Sequence, residues 1–223
     1  LTYTVDTTPP VQSAWSPASG STVGSTSQTV TLTLNETGDC HWQVGGTDPT
    51  YAAALGDCTG DGTTSISCAV TGMAEGANTV YVACRDAVGN ADTAASNTAL
   101  TYTVDTTPPV QSAWSPASGS TIASTSQTVT LTLNEAGDCK WQVGGVDPAY
   151  SAALGDCTGD GTTSISCAVT GMVSGANTVY VACRDTVLNA DTAATNTALT
   201  YTVDTAPPVQ SAWSPASGST IAS

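Results

Sequence analysis

The chain has 223 residues and a formal net charge of −15, from 18 Asp and Glu against three Lys and Arg. Its only such cations are Arg85, Lys140 and Arg184. That excludes nucleic-acid binding by counterion release and docking on an anionic membrane through a basic patch, because both need clustered Lys and Arg. No apolar run of about 20 residues predicts a membrane-spanning helix, so no membrane insertion is expected in this segment.

Leu1-Thr-Tyr-Thr-Val-Asp-Thr-Thr-Pro-Pro10 opens the chain, and Leu100 and Leu199 each begin a near-copy of it. The offset is 99 residues both times, so the chain reads as a tandem array. The second repeat matches the first at 87 of 99 positions. Leu100, Tyr102 and Val104 alternate with threonines, as in a half-buried strand. Pro108 and Pro109 stop that strand, since neither can donate to a ladder, and a new extended run to Trp114 follows. Val104, Asp105, Pro108, Pro109 and Trp114 thus form an inter-domain joint. The boundaries that follow are one domain over residues 11–105 and another over 110–204. Residues 1–10 read as the last strand of a preceding repeat, and residues 209–223 as the first strand of a following one. The chain is then a window on a longer array, or a subunit whose end strands pair with its neighbours'.

Within the first repeat, residues 11–15 predict a strand closed by Ser16-Pro17. Thr29–Leu34 sets Val30, Leu32 and Leu34 on one face and threonines on the other. Asn35–Asp39 predicts a turn, and Cys40, Trp42 and Val44 point inward on the next strand. Residues 47–57 read as a loop, and Asp57–Gly62 as a tight loop. Ile66, Cys68 and Val70 alternate inward, and so do Val80, Val82 and Cys84. Gly89-Asn90 and Leu188-Asn189 close equivalent turns, which places a left-handed residue at the asparagine, because Leu tolerates positive φ badly. The pattern predicts about seven short strands per repeat with no helical period: an all-β, antiparallel β-sandwich.

The eight cysteines stand four per repeat at the same spacing, as Cys40, Cys58, Cys68 and Cys84, then Cys139, Cys157, Cys167 and Cys183. Even counts without C-x-x-C or paired histidines predict disulfides in an oxidising compartment, rather than zinc. The one histidine, His41, becomes Lys140 in the second repeat, so no histidine-based catalytic set recurs and no enzyme is expected. Asp57-x-Thr-x-Asp61-Gly is shaped like the start of a calcium loop, but Cys68 stands where the closing glutamate belongs. Asp86, Asp92 and Asp105 form a second calcium candidate if they converge at the joint. The tryptophans Trp15, Trp42 and their repeats through Trp213 could stack on sugars, but their place in the strand pattern favours packing. The sequon Asn35-Glu-Thr37 is lost in the second repeat as Asn134-Glu-Ala136.

Val5-Asp-Thr-Thr-Pro-Pro10, Ser16-Pro17 with Gly20, Cys40-x-Trp42 and Asn78-Thr-Val-Tyr-Val-Ala-Cys-Arg-Asp-Ala-Val-Gly-Asn90 together resemble the bacterial Ig-like domains repeated in large secreted and surface proteins. The resemblance implies tandem Ig-like sandwiches, an extracellular or cell-surface location, a structural role in a fibre or filament, and no cofactor. It implies partner copies of the same chain, or, as an alternative, an adhesin stalk or a repeat that binds a glycan or host protein. It also implies Cys40 paired with Cys84 and Cys139 with Cys183, which leaves Cys58 with Cys68 and Cys157 with Cys167. Cys68 points inward as well, so Cys68–Cys84 with Cys40–Cys58 stays open.

Overall fold

The computed structural model describes residues 1–211, 214 and 217–220. Trp213 and part of the strand expected over 209–223 lie outside them. The chain divides into two compact units, Leu1–Pro108 with Val187–Asn189, and Pro109–Thr186 with Ala190–Ser223.

The first unit holds seven strands: β1 (Gln12–Ser16), β2 (Thr22–Val23), β3 (Gln28–Val44), β4 (Gly56–Thr59), β5 (Thr63–Val70), β6 (Gly76–Asp86) and β7 (Thr98–Val104). The second unit repeats them as β8 (Gln111–Ser115), β9 (Ser120–Ile122), β10 (Gln127–Val143), β11 (Gly155–Thr158), β12 (Thr162–Val169), β13 (Gly175–Asp185) and β14 (Thr197–Val203). A single 3₁₀ turn, Tyr51–Ala53 or Tyr150–Ala152, precedes β4 or β11. Among the described residues no helix is long and apolar enough to cross a membrane.

The turn expected at Asn35–Asp39 is instead part of one 17-residue strand. Its first half, Gln28–Thr33, pairs antiparallel with β5, and its second half, Gly38–Val44, pairs with β6. Gly38 pairs with both Thr63 and Asp86, so the strand passes from one layer to the other there. A Cβ on Gly38 would lie 2.7 Å from the Arg85 carbonyl oxygen and 2.9 Å from Leu34 Cδ1. Only glycine lets the corner close while the ladder continues. β1 adds to the first layer through β3. β7 adds to the second through β6, and β2 runs parallel to β7 at its edge. The result is an Ig-like sandwich.

The alternating residues fill the space between the layers. Val30, Leu32, Leu34, Ile66, Val70, Val80, Val82, Leu100, Tyr102 and Val104 are each at most 2% exposed. Trp15, Trp42 and Val44 pack at the margin of that core. The Tyr102 hydroxyl donates to the Pro17 carbonyl at 2.9 Å, so this buried ring also satisfies its polar end. The second proline of each joint packs on the corner glycine of the domain that follows it. Pro10 packs on Gly38 in the first unit, and Pro109 on Gly137 in the second.

Two local expectations are corrected. Asp57–Gly62 is not one loop: Gly56–Thr59 is β4, and the turn is confined to Gly60–Gly62. The left-handed residue of the turn after β6 or β13 is Gly89 at φ 99° or Leu188 at φ 75°, not the asparagine. Asn90 is held differently, with its side-chain amide donating to Asp86 Oδ2. A leucine in that region costs about 1–2 kcal/mol. Leu188→Gly should therefore stabilise the chain by about 1 kcal/mol, less a few tenths for the freer unfolded chain. Chemical denaturation checks this; an unchanged or lower midpoint would show that the turn is not strained.

Candidate functional site

Three groups of side chains stand out in the first unit. The first surrounds Tyr51, which the 3₁₀ turn lays against the outside of the β3–β6 layer. Its hydroxyl donates to Asp39 Oδ2. The same oxygen receives Arg85 Nη2 at 3.3 Å, and the Arg85 guanidinium lies 4.7 Å from the Tyr51 ring centre. His41 stacks on the ring at 4.3 Å, and its Nε2 is 3.5 Å from Asp57 Oδ1. In the second unit Lys140 Nζ stands 5.0 Å over Tyr150 and Arg184 4.7 Å from it. All three Lys and Arg of the chain, and its single histidine, are thus committed to two tyrosine faces. The His41/Lys140 exchange keeps a contact on the same ring, which is packing chemistry with a cation–π contribution. Burial, and then the Asp39 carboxylate, push the Tyr51 phenol well above its ordinary range. Such a phenol is a poor general base near neutral pH.

The second group is acidic. Carboxylate oxygens of Asp6, Glu36 and Asp86 lie within 4.8 Å of one another. Asp86 Oδ1 accepts the backbone N–H groups of Val88, Gly89 and Asn90 at 2.7–2.9 Å, and Oδ2 accepts the Asn90 amide. Burial raises the Glu36 carboxyl, and the neighbouring Asp6 and Asp86 raise it further. Burial acts the same way on Asp86, but its N–H partners outweigh it and hold that carboxyl below the ordinary range. Three carboxylates offer at most six oxygens, the low end of the six to eight a calcium ion takes, and those of Asp86 are already used in part. The sequence repeats the trio as Asp105, Glu135 and Asp185.

The calcium candidates are placed differently from their expectation. Asp57 lies on β4 beside His41, while Asp61 is exposed in the Gly60–Gly62 turn. Asp86 meets Asp6 and Glu36, whereas Asp92 is turned inward, 4% exposed. Asp92 Oδ2 accepts the Cys84 N–H at 2.8 Å and the Gln12 amide at 2.7 Å, tying β1 to β6. This brace was missed in the sequence. Its only signal was an acid that recurs, as Asp191, in a segment otherwise poor in function.

Burial raises the Asp92 and Asp191 carboxyls, and their hydrogen bonds lower them only in part. The folded chain therefore binds these protons more tightly than the unfolded chain. Their contribution to stability is complete below the ordinary carboxylate value near 4. It is lost as pH rises through the raised folded value. Asp86 acts oppositely: its contribution is present above the ordinary value and lost as pH falls through the lowered one. The melting temperature should thus rise as pH falls from 7 towards about 4 and fall only in stronger acid. Asp92→Asn with Asp191→Asn should flatten the rise. A melting temperature that declines steadily from pH 7 to about 4 would contradict this reading.

The third group is the disulfides. Cys40 is bonded to Cys84 and Cys58 to Cys68, and the second unit joins Cys139 to Cys183 and Cys157 to Cys167. Cys40 and Cys84 are direct partners across β3 and β6. Cys68, although inward, faces Cys58 across β5 and β4. Among the described residues no cysteine is free.

No family model matches the chain, and no curated protein matches it. Among solved structures it is similar to a chimeric titin Z1Z2 carrying a decorin peptide, at 10% identity over 89% of this chain and 97% of that one, TM-score 0.39. Domains 5–6 of the S-layer protein SbsC align at 14% identity over 87% and 99%, TM-score 0.28. The BSP domain of a biofilm-associated protein aligns at 12% identity over 89% of this chain and 30% of that one, TM-score 0.28.

Proposed function

We propose that this chain is a stretch of a long extracellular array of Ig-like domains that builds a fibre or surface filament. The observation that carries the reading is the recurrence of a whole domain. Strands, corner glycine, tyrosine cluster, buried Asp92 brace and both disulfides return after 99 residues, with 87 of 99 positions unchanged. Near-identical units present near-identical surfaces, and that is what a periodic assembly needs. Disulfides in every unit suit an oxidising compartment, in keeping with an extracellular place. The chain's basic residues are occupied on tyrosine faces, which leaves little for acid–base chemistry and favours a structural role over a catalytic one.

Electron microscopy of the native material, with an axial power spectrum, tests this. One extended domain with strands of ordinary length should advance a fibre by about 35–45 Å. Ordered fibres with that repeat, or a shorter one, support the array as the function. Separate flexible threads ending at a cell would instead make these domains a stalk for something else.

A further inference from the structure

Asp39, His41 and Asp57 meet on the outside of the β3–β6 layer in the first unit. Asp39 and His41 are two residues apart on β3, so they share a face, the one opposite to Cys40 and Trp42. Asp57 is the direct partner of His41 across β3 and β4. One carboxylate oxygen from each aspartate and one imidazole nitrogen lie within 4.8 Å of one another. The His41 side chain is 27% exposed and that of Asp57 73%, so the group is reached from solvent.

The imidazole is oriented through its other nitrogen. Nδ1 stands 3.1 Å from the Tyr51 carbonyl oxygen. A carbonyl only accepts, so Nδ1 carries a proton and the neutral ring keeps its lone pair on Nε2. A metal-binding histidine commonly donates its second N–H to a backbone carbonyl in this way. Nε2 lies 3.5 Å from Asp57 Oδ1, which is long for a hydrogen bond. It matches the roughly 3.4 Å between two ligand atoms of a tetrahedral zinc, each about 2.1 Å from the ion. Asp39 is held as well. Its Oδ2 accepts the Tyr51 hydroxyl and Arg85 Nη2, while Oδ1 is buried and accepts no hydrogen bond among the described residues. Tyr51 thus orients two of the three side chains, and its ring stacks on the imidazole at 4.3 Å. Asp57 is exposed on the four-residue β4 and closes the remaining distance by turning about its own side-chain bonds.

The second unit supplies a comparison. Asp138, Tyr150, Asp156 and Arg184 return there, and Lys140 stands in place of His41. An ammonium has three donors and no lone pair, so it cannot be a ligand. It brings its own positive charge to the same place, opposite Asp156 and over the Tyr150 ring.

We propose that Asp39, His41 and Asp57 bind a divalent transition-metal ion, with zinc the best match. One nitrogen and two oxygens, with the solvent side left for water, suit zinc; calcium takes oxygens alone. The ion ties β3 to β4 in the first unit and has no counterpart in the second. Arg85 offsets one of the two carboxylate charges, and the rest of a chain at −15 offsets what a divalent ion then adds. The inference does not depend on the array reading above, and its failure leaves that reading untouched.

Titration of the full chain with zinc chloride tests it, with calcium in excess to fill all-oxygen sites. Calorimetry gives affinity and stoichiometry. The chain has a single histidine, so its imidazole signals in the NMR spectrum are unambiguous. Wild type should take up one zinc more tightly than any further ion, and the His41 signals should move in step with it. His41→Lys, which copies the second unit, and Asp57→Asn should each weaken that binding at least about tenfold. Asp156→Asn, the equivalent change in the second unit, should bind like wild type. Zinc at about a hundredfold excess over its dissociation constant should raise the melting of the first unit by at least about 5 °C and leave the second where it is. Thermal melts without zinc confirm that each variant is folded; if His41→Lys is not, Asp57→Asn carries the test. The proposal is overturned if wild type takes up no zinc, if His41→Lys or Asp57→Asn binds it like wild type, or if Asp156→Asn loses it equally. It is also overturned if zinc binds without moving the His41 signals, which would place the ion among carboxylates such as Asp6, Glu36 and Asp86 instead.

Discussion

Replacing Cys40 and Cys84 by alanine should split the thermal unfolding of the chain into two transitions. The first should come roughly 20 °C below the second, with the unchanged second unit as the internal reference. The bridge spans 44 residues of sequence, and closing a loop of that length in the unfolded chain is worth about 4 kcal/mol in the chain-entropy model. Both sulfurs are fully buried against β3 and β6, so alanine also leaves a space that neighbouring side chains fill only in part. A domain of some 95 residues has about 5–15 kcal/mol in hand, so a loss of this size leaves the first unit near its threshold at 37 °C. The Cys58–Cys68 bridge spans only 10 residues and should be worth about 3 kcal/mol. Differential scanning calorimetry of the two variants decides the order. If removing Cys58–Cys68 lowers the first transition more than removing Cys40–Cys84, loop closure is not the dominant effect, and strain or residual structure in the unfolded chain takes its place.

The strand faces were legible because a strand has period two and the chain obeys it. Val30, Leu32 and Leu34 are buried, and Thr29, Thr31 and Thr33 between them are exposed. The corner at Gly38 was not legible. Asn, Gly and Asp together are turn residues, and nothing local tells a turn that breaks a ladder from a corner that carries it into the other layer. Leu188 misled for a related reason. A steric rule favoured asparagine for positive φ, but the Asp86 carboxylate had already fixed the role of Asn90 through hydrogen bonds that cross several residues. Tyr51, Asp39 and Arg85 could not be joined from sequence, since their meeting depends on how the 3₁₀ turn folds over the sheet. The repeat did hold a clue: among the exposed or half-exposed positions of that layer, Arg85 and Asp39 return unchanged while His41 does not.

Gly56→Ala should destabilise the first unit by about 2 kcal/mol, although it adds one methyl group to a half-exposed position. Gly56 is the cross-strand partner of Trp42, and the indole lies over its α-carbon. A Cβ at Gly56 would stand 2.1 Å from Trp42 Cε2, and the second unit shows the same approach of Gly155 to Trp141. The indole must therefore leave its seat, and overpacking of this kind costs about 1–3 kcal/mol. One effect opposes the loss. Trp42 Nε1 is buried without an acceptor, and an indole that swings outward regains water there. That gain of about 1 kcal/mol is smaller than the packing lost when the ring no longer covers the margin of the core. The same seat explains why Trp42 is a poor platform for a sugar: one face of the ring is already taken by the backbone of β4. Tryptophan fluorescence during urea unfolding tests both statements. Gly56→Ala should red-shift the native emission and lower the midpoint of the first unit. If emission and midpoint both stay at their wild-type values, the indole has room to spare, and its face is open to a ligand after all.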